Sequence, residues 1–171
     1  MFKGTSASAG IGIGKAVIVE EAELVITRNE VADAEAEIQR FKGALEKTIA
    51  ATQKMADDLA SRVGEKEAEI MQGHMMLLSD PMLTGEIENS VKNDKVNCEF
   101  AIENVCNMYA DMFASMGDEL MQQRATDMRD IKVRMQRTLM GLESVDVSLL
   151  PKGSILVAKD LTPSMTAGIN P

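Results

Sequence analysis

The chain has 171 residues, of which 45% are hydrophobic, enough to fill one core or two small subdomains that share an edge. Its formal net charge of −9 argues against nucleic acid as a partner and favours a basic protein, although an acidic surface also serves solubility alone. No apolar run approaches the roughly 18 residues that a membrane-spanning helix needs, and the start has no apolar stretch of signal length. We therefore expect a cytoplasmic protein without a membrane segment.

Residues 1–26 are rich in glycine and in β-branched residues. Ile11, Ile13, Val17 and Val19 occupy alternating positions beside glycines, a pattern that predicts a strand, a turn and a second strand. The segment GIGIGK at 10–15 contains the residue types of a phosphate-binding loop, but its spacing is wrong for that motif. The glycines are therefore interpreted as turn and close-packing positions.

Apolar residues then recur with helical spacing. The first predicted helix begins near Asp33, and Gly64 interrupts it. A second covers about 65–78, after which Asp80 can cap and Pro81 can open a further short helix. The punctuation thus predicts separate helices and not one long helix.

A third and a fourth helix show the most regular apolar spacing in the chain. The apolar positions are spaced by four and three residues alternately, which predicts a seam between the two helices. They are Cys98, Ile102, Val105, Tyr109, Met112 and Met116 on the third helix, and Met128, Ile131, Met135 and Leu142 on the fourth. A tight connection at Gly117 and Asp118 and a left-handed cap at Gly141 complete the pattern. We expect two antiparallel helical hairpins.

Strand character returns at 155–157, and Thr162 followed by Pro163 predicts the start of another helix. The expected fold class is α+β and mainly helical. A four-helix subdomain of two hairpins, residues 27–144, would be inserted in an incomplete α/β subdomain built from residues 1–26 and 145–171.

The side chains with reactive chemistry give few catalytic candidates. His74 has apolar neighbours, no adjacent nucleophile and no orienting partner in the sequence, so a packed or partner-contacting role is favoured over catalysis. Cys98 and Cys106 are eight residues apart, which fits reduced thiols and not a metal cluster. Charged residues between Arg124 and Asp130 can brace one another at helical spacing. We expect no metal site.

Four segments resemble the amino-terminal part of Enzyme I of the bacterial phosphotransferase system. They are ASAGI at 7–11, GHMMLL at 73–78, RATDMRDI at 124–131 and DLTPSMT at 160–166. The resemblance implies phosphoryl transfer from phosphoenolpyruvate to a histidine of Enzyme I, and then to the small carrier protein HPr. The family's phosphoryl-carrying histidine lies in a GGRTSH segment that this sequence lacks, so we expect it beyond Pro171. The fragment alone is expected to be inactive, with no cofactor of its own.

In the family, the phosphoenolpyruvate site, its magnesium and the homodimer contact belong to a carboxy-terminal domain. HPr docks on the helical subdomain. Carried onto matching positions, the HPr-binding residues would be Glu65, Glu69, Met76, Leu77, Leu83, Phe113, Leu120, Met121 and Arg124, an apolar centre with an acidic rim. Thr166 matches the threonine that hydrogen-bonds the active histidine. A family lysine near the start of the second helix matches Glu67, with Lys66 one place earlier, which leaves that lysine's role open.

Two alternatives stay open at this point. One is a helical scaffold or dimerisation module that meets its own copy through the seam of the third and fourth helices. The other is a fragment of a related phosphoenolpyruvate-using enzyme, such as a dikinase or a dihydroxyacetone phosphotransferase.

The incomplete α/β subdomain leads to a prediction about the strand at 155–157. A strand that lacks a neighbour exposes amides to water. We therefore expect fast amide hydrogen exchange there, measured by NMR. Slow exchange across the strand would contradict this expectation.

Overall fold

The computed structural model describes residues 5, 8–20, 23–142 and 147–169. Between residues 34 and 140 of this part the chain forms five helices: α1 (Ala34–Arg62), α2 (Glu65–Leu78), α3 (Pro81–Asp94), α4 (Cys98–Ser115) and α5 (Glu119–Met140). Strand β1 (Lys15–Val19) precedes them, and a 3-10 turn (Val147–Leu149), strand β2 (Ser154–Ala158) and the short helix α6 (Pro163–Gly168) follow. The mainly helical α+β fold is confirmed. No helix in these ranges is long and apolar enough to cross a membrane.

Local capping sets the helix ends where the sequence predicted them. The side chains of Asp33, Asp80 and Asp118 each accept a hydrogen bond from a backbone amide in the first turn of the helix that follows. Gly141 adopts φ of 66°, the left-handed conformation that closes α5. The helix opened by Pro81 is not short, because it has 14 residues, as many as α2.

The main core lies among α1, α3, α4 and α5. Side chains of the predicted seam are buried there, with Ile102 and Ile131 fully inaccessible to solvent. The far end of the seam was predicted incorrectly. Met112 in the last turn of α4, Met116 just after α4 and Leu142 just after the Gly141 cap of α5 are 42%, 54% and 42% exposed. Helical spacing defines a face of α4, but only packing decides how much of that face is covered. Cys98 and Cys106 are free and buried.

The two strands pair in parallel, with Lys15 opposite Ser154 and Val19 opposite Ala158. A parallel pair needs a long crossover connection, and the helices supply it. The predicted strand before β1 does not form, since Ile11 and Ile13 lie outside any strand and are 94% exposed. Glycine at every second position weakens a strand there.

Gly14 shows what one of these glycines does. A Cβ atom at this position would overlap the carbonyl oxygen of Gly153, so a glycine is required for the close approach of the two strands.

The expected division into residues 1–26 with 145–171, and 27–144, stays a prediction. Residues 145, 170 and 171, and Ala7 of the first resemblance segment, lie outside the described residues.

An ion-pair clamp joins the starts of α1 and α4. The guanidinium of Arg40 donates to both carboxylate oxygens of Glu37, at 3.1 and 2.7 Å, and to both of Glu99, at 2.8 Å each. Glu37 also accepts the amide of Cys98 at 2.8 Å, and so caps α4 from another helix. The Arg40 hydrogen bond chiefly holds the pKa of Glu37 below its usual value.

The pKa of Glu99 is also lowered, but through a different balance of effects. Its burial works to raise its pKa, but hydrogen bonds from Arg40, from its own backbone amide and from Asn97 outweigh burial, and the pKa is lowered. Carboxylates with a lowered pKa in the folded state stabilise the fold above their ordinary pKa and lose that contribution as the pH falls.

We expect Arg40→Gln to reduce the free energy of unfolding by about 1 kcal/mol at pH 7, since the pairs are partly exposed. Both lowered pKa values start from an ordinary value of 4.5, so the difference from wild type should shrink as the pH falls below 4.5. Urea unfolding at several pH values measures it, with Arg28→Gln at an exposed arginine as the control. An Arg40→Gln deficit that is equally large at low pH would refute the clamp.

Candidate functional site

His74 lies at the junction of α2 and α5 and is fully buried. Its Nε2 is 3.2 Å from Oδ1 of Asp127, and its Nδ1 is 3.6 Å from Oδ2 of Asp130. The two aspartates are three residues apart on α5 and therefore share one face. The packed position of His74 confirms that prediction, whereas the expected lack of a polar partner was wrong. The partners come from a helix more than fifty residues away.

Asp130 connects this junction to α6. The residue is 4% exposed, and its carboxylate accepts two hydrogen bonds from Ser164, from Oγ at 2.8 Å and from the backbone amide at 3.1 Å. Thr162 Oγ1 accepts the amide of Met165 at 3.4 Å in the same turn. One local cap and one distant carboxylate thus satisfy amides at the start of α6.

Arg124 extends the same set of contacts to the protein surface. Its Nη1 lies 3.9 Å from Oδ2 of Asp127, which confirms the predicted bracing for this pair. The guanidinium passes over Gly73, where a Cβ atom would be 2.8 Å from Nη1. We call the contiguous set Arg124, Asp127, His74, Asp130 and Ser164 the junction network. Arg129 is not part of it.

A second contact holds the other end of α6. Arg62, the last residue of α1, donates from Nη2 to the carbonyl oxygen of Ala167 at 2.7 Å. Ala167 is buried in a small core between the end of α1 and α2. The other buried members of this core are Ala56, Leu59, Ala68 and Met71. Helix α6 is therefore fixed to the helical part at both of its ends.

The predicted active-site threonine is on this helix. Thr166 is exposed, and its hydroxyl donates to the carbonyl oxygen of Pro163 at 2.9 Å. Lys66 is exposed at the start of α2, and the side chain of Glu67 lies outside the described part of the chain. The roles suggested for these residues stay predictions.

Most of the predicted docking residues have accessible side chains. Glu65, Glu69, Met76 and Leu120 are exposed, and Leu77, Phe113, Met121 and Arg124 are half-buried. Leu83 does not belong with them. It is 2% exposed, because it forms the buried face of α3 together with Ile87 and Val91. Met82 beside it is 68% exposed and is a large apolar side chain of α3 that a partner can reach.

The sequence reasoning missed Asp130 and Ser164 as functional candidates. Both lie in the two segments that carry the most specific resemblance, and the spacing of Asp127 and Asp130 placed two acids on one face of a helix. That signal shows which residues share a face, but not that His74 lies opposite. No group of three or more His, Cys, Asp or Glu side chains in the described ranges is arranged to hold a metal ion.

The sequence is similar to those of known proteins over most of its length. The family model described as "PEP-utilising enzyme, N-terminal" matches residues 3–124. A phosphoenolpyruvate-protein phosphotransferase of Listeria monocytogenes is 40% identical over 169 residues, which cover 99% of this chain and 30% of that protein. The protein of the same name from Bacillus subtilis is 38% identical with the same coverage.

Solved structures agree with the sequence comparison. An NMR solution structure of an Enzyme I protein superposes with a TM-score of 0.87 at 36% identity, covering 99% of this chain and 69% of that one. The N-terminal domain of a nitrogen Enzyme I gives a TM-score of 0.71 at 25% identity, covering 91% and 64%.

The fold and the matched segment define the class as the N-terminal domain of a phosphoenolpyruvate-utilising enzyme. Within that class, the chain belongs to the Enzyme I family. It spans about 30% of the length of the curated relatives it matches.

We expect His74→Leu to lower the free energy of unfolding by about 2 kcal/mol, because it removes the 3.2 Å contact with Asp127 and the polar ring beside the buried Asp130. Met71→Leu on the same helix is the control, since it changes a buried side chain without removing a polar contact. Urea denaturation measures both variants. Equal losses in the two variants would show that only packing matters at position 74.

Proposed function

We propose that this chain is the HPr-docking part of a phosphoenolpyruvate-protein phosphotransferase. The whole protein would pass a phosphoryl group from phosphoenolpyruvate to its own histidine and then to HPr, for sugar uptake in the cytoplasm. The phosphoenolpyruvate site, its magnesium, the dimer contact and the phosphoryl-carrying histidine would belong to parts outside residues 1–171. Residues 1–171 would supply the carrier-binding surface and Thr166.

The observation that supports docking is an exposed apolar surface around the crossing of α2 and α5. Met76 is 70% exposed and Leu120 is 55% exposed, although both are large apolar side chains. Leu77 and Phe113 contribute partly buried neighbours that pack on the main core. Exposed apolar side chains on a rigid base are typical of a protein-contact surface.

Arg124 gives this surface a polar centre. Gly73 leaves room for its guanidinium to lie across α2, and the nearby Asp127 carboxylate limits its orientation. Arginine fixed in this way presents several donors at low conformational cost and is frequent at interface hot spots. A partner with acceptor groups beside an apolar patch would fit here.

The charges around the surface favour a basic partner. Glu65 and Glu69 are exposed on α2, and the chain carries a net charge of −9. Opposite charges on partners speed their encounter and orient it, and salt screens the effect. We therefore propose that binding weakens as the ionic strength rises.

The buried part of the seam cannot serve the dimerisation alternative. The seam of the third and fourth predicted helices is occupied within one chain, where α4 packs on α5 through Ile102 and Ile131. A second copy cannot use those side chains without unfolding the first. The described structure thus favours a carrier partner over self-association through that seam.

The test is a titration of the ¹⁵N-labelled chain with unphosphorylated HPr from the same source, at low and moderate salt. Amide shifts should be confined to α2, the start of α3, the end of α4 and the start of α5. Met76→Ala should weaken binding about tenfold, because truncating a central apolar contact commonly costs more than 1 kcal/mol.

Met140→Ala is the matched control. Met140 is also 42% exposed, but it ends α5, about 30 Å along the helix from Leu120. The Met140→Ala variant should bind HPr with the affinity of the wild-type chain. The absence of shifts at millimolar HPr, or an equal loss in both variants, would overturn the proposed docking surface.

A further inference from the structure

We propose that Asp130 is a positioning residue for phosphoryl transfer: its buried carboxylate fixes the first turn of α6, and with it Thr166, against the helices that carry the docking surface. The inference rests on the proposed function for its link to phosphoryl transfer. The geometric part concerns this chain alone.

Helix α6 cannot fix its own position. It has six residues, and helices of that length are unstable in water without tertiary contacts. Its described polar tertiary contacts are the two Ser164 hydrogen bonds to Asp130 and the Arg62 hydrogen bond to Ala167. The Asp130 contact acts at the first turn, and the Arg62 contact at the last.

Asp130 is suited to hold a helix start rigidly. Both of its oxygens are used, one for the Ser164 hydroxyl and one for the Ser164 amide, so the serine cannot rotate without losing a bond to a charged group. A carboxylate at the first turn is also favoured by the helix dipole. A buried carboxylate without these donors would be costly, which keeps the pair together.

His74 approaches Asp130 from α2. Among the described residues its Nδ1 has no hydrogen-bond partner within normal distance, and Oδ2 of Asp130 lies 3.6 Å away, slightly beyond that distance. Its Nε2 contacts Asp127 on the same face of α5. The imidazole therefore lies between the backbone of α2 and both acids, where it limits how far Asp130 can move.

The position of Thr166 follows from this contact. Thr166 is two residues after Ser164, and its amide donates to the carbonyl of Thr162 at 3.0 Å. Loosening the first turn would move the threonine relative to α2 and α5. In a transfer reaction, a displacement of about 1 Å can cost up to roughly a hundredfold in rate without changing partner affinity.

The experiment begins with Ser164→Ala in the 171-residue chain. The variant removes the hydroxyl bond to Asp130 and the 3.0 Å contact of the same hydroxyl with Thr162 Oγ1, and it keeps the groups of the bond from the Met165 amide to Thr162. We expect the amide exchange of Thr166 and Ile169 to accelerate about tenfold while the α5 amides keep their rates. Ser164→Thr retains a hydroxyl and should restore protection. Ser90→Ala, on α3, is the control, since its hydroxyl donates to Asp94 of the same helix.

The second measurement uses the full-length phosphotransferase. Transfer from the phosphorylated enzyme to HPr should lose about tenfold in kcat for Ser164→Ala, with KM for HPr unchanged, because the docking surface is intact. Asp130→Asn, which keeps one acceptor oxygen, should show the same split. Restored kcat in Ser164→Thr would support positioning by the hydroxyl bond.

Unchanged exchange at Thr166 in both Ser164→Ala and Asp130→Asn would overturn the inference. So would faster exchange with an unchanged kcat, because the contact would then hold α6 without affecting transfer. A wild-type protein that binds no HPr and transfers nothing to it would instead overturn the proposed function. The exchange measurement would still decide whether Asp130 holds α6.

Discussion

The arrangement of this chain depends on one buried charge, the carboxylate of Asp130. Placing a carboxylate in the interior costs several kcal/mol unless donors surround it, so the elements that supply those donors must be in place together. Ser164 supplies them from α6, and His74 approaches from α2. Arg134, one turn further along α5, is itself buried, and burial lowers its pKa while the charge of Asp130 opposes that change. Arg134 bonds Thr52 on α1 at 2.6 Å.

These contacts explain how α6 keeps a defined position on the long helices. The two strands are short and much of their surface is exposed, with Ile18 at 69% and Val157 at 46%. Such a sheet buries little apolar area and cannot dominate the orientation by itself. The polar contacts of α6 and the small core around Ala167 are directional or close-packed, and they supply the missing constraint.

The sequence predicted the features that depend on neighbours along the chain. The cap at Asp80, the left-handed Gly141 and the helix start near Asp33 involve only a few consecutive residues, and all three are observed. The network at His74 joins residues 53 positions apart, and no local pattern encodes that distance. Leu83 was misplaced because family correspondence gives a position, whereas the spacing of α3 decides which face that position occupies.

Helix α2 combines two opposite requirements. Residues two positions apart are separated by about 200° around a helix, so His74 and Met76 point in nearly opposite directions. The buried side must be specific, and a histidine between two carboxylates satisfies this because its partners have fixed directions. The exposed side would contact the proposed partner, and a thioether adapts its shape at little cost. Met76 and His74 are both on α2, and His74 joins α2 to α5. Asp130 on α5 in turn holds α6. A protein bound at Met76 would therefore act on a helix that is connected to α6 through α5.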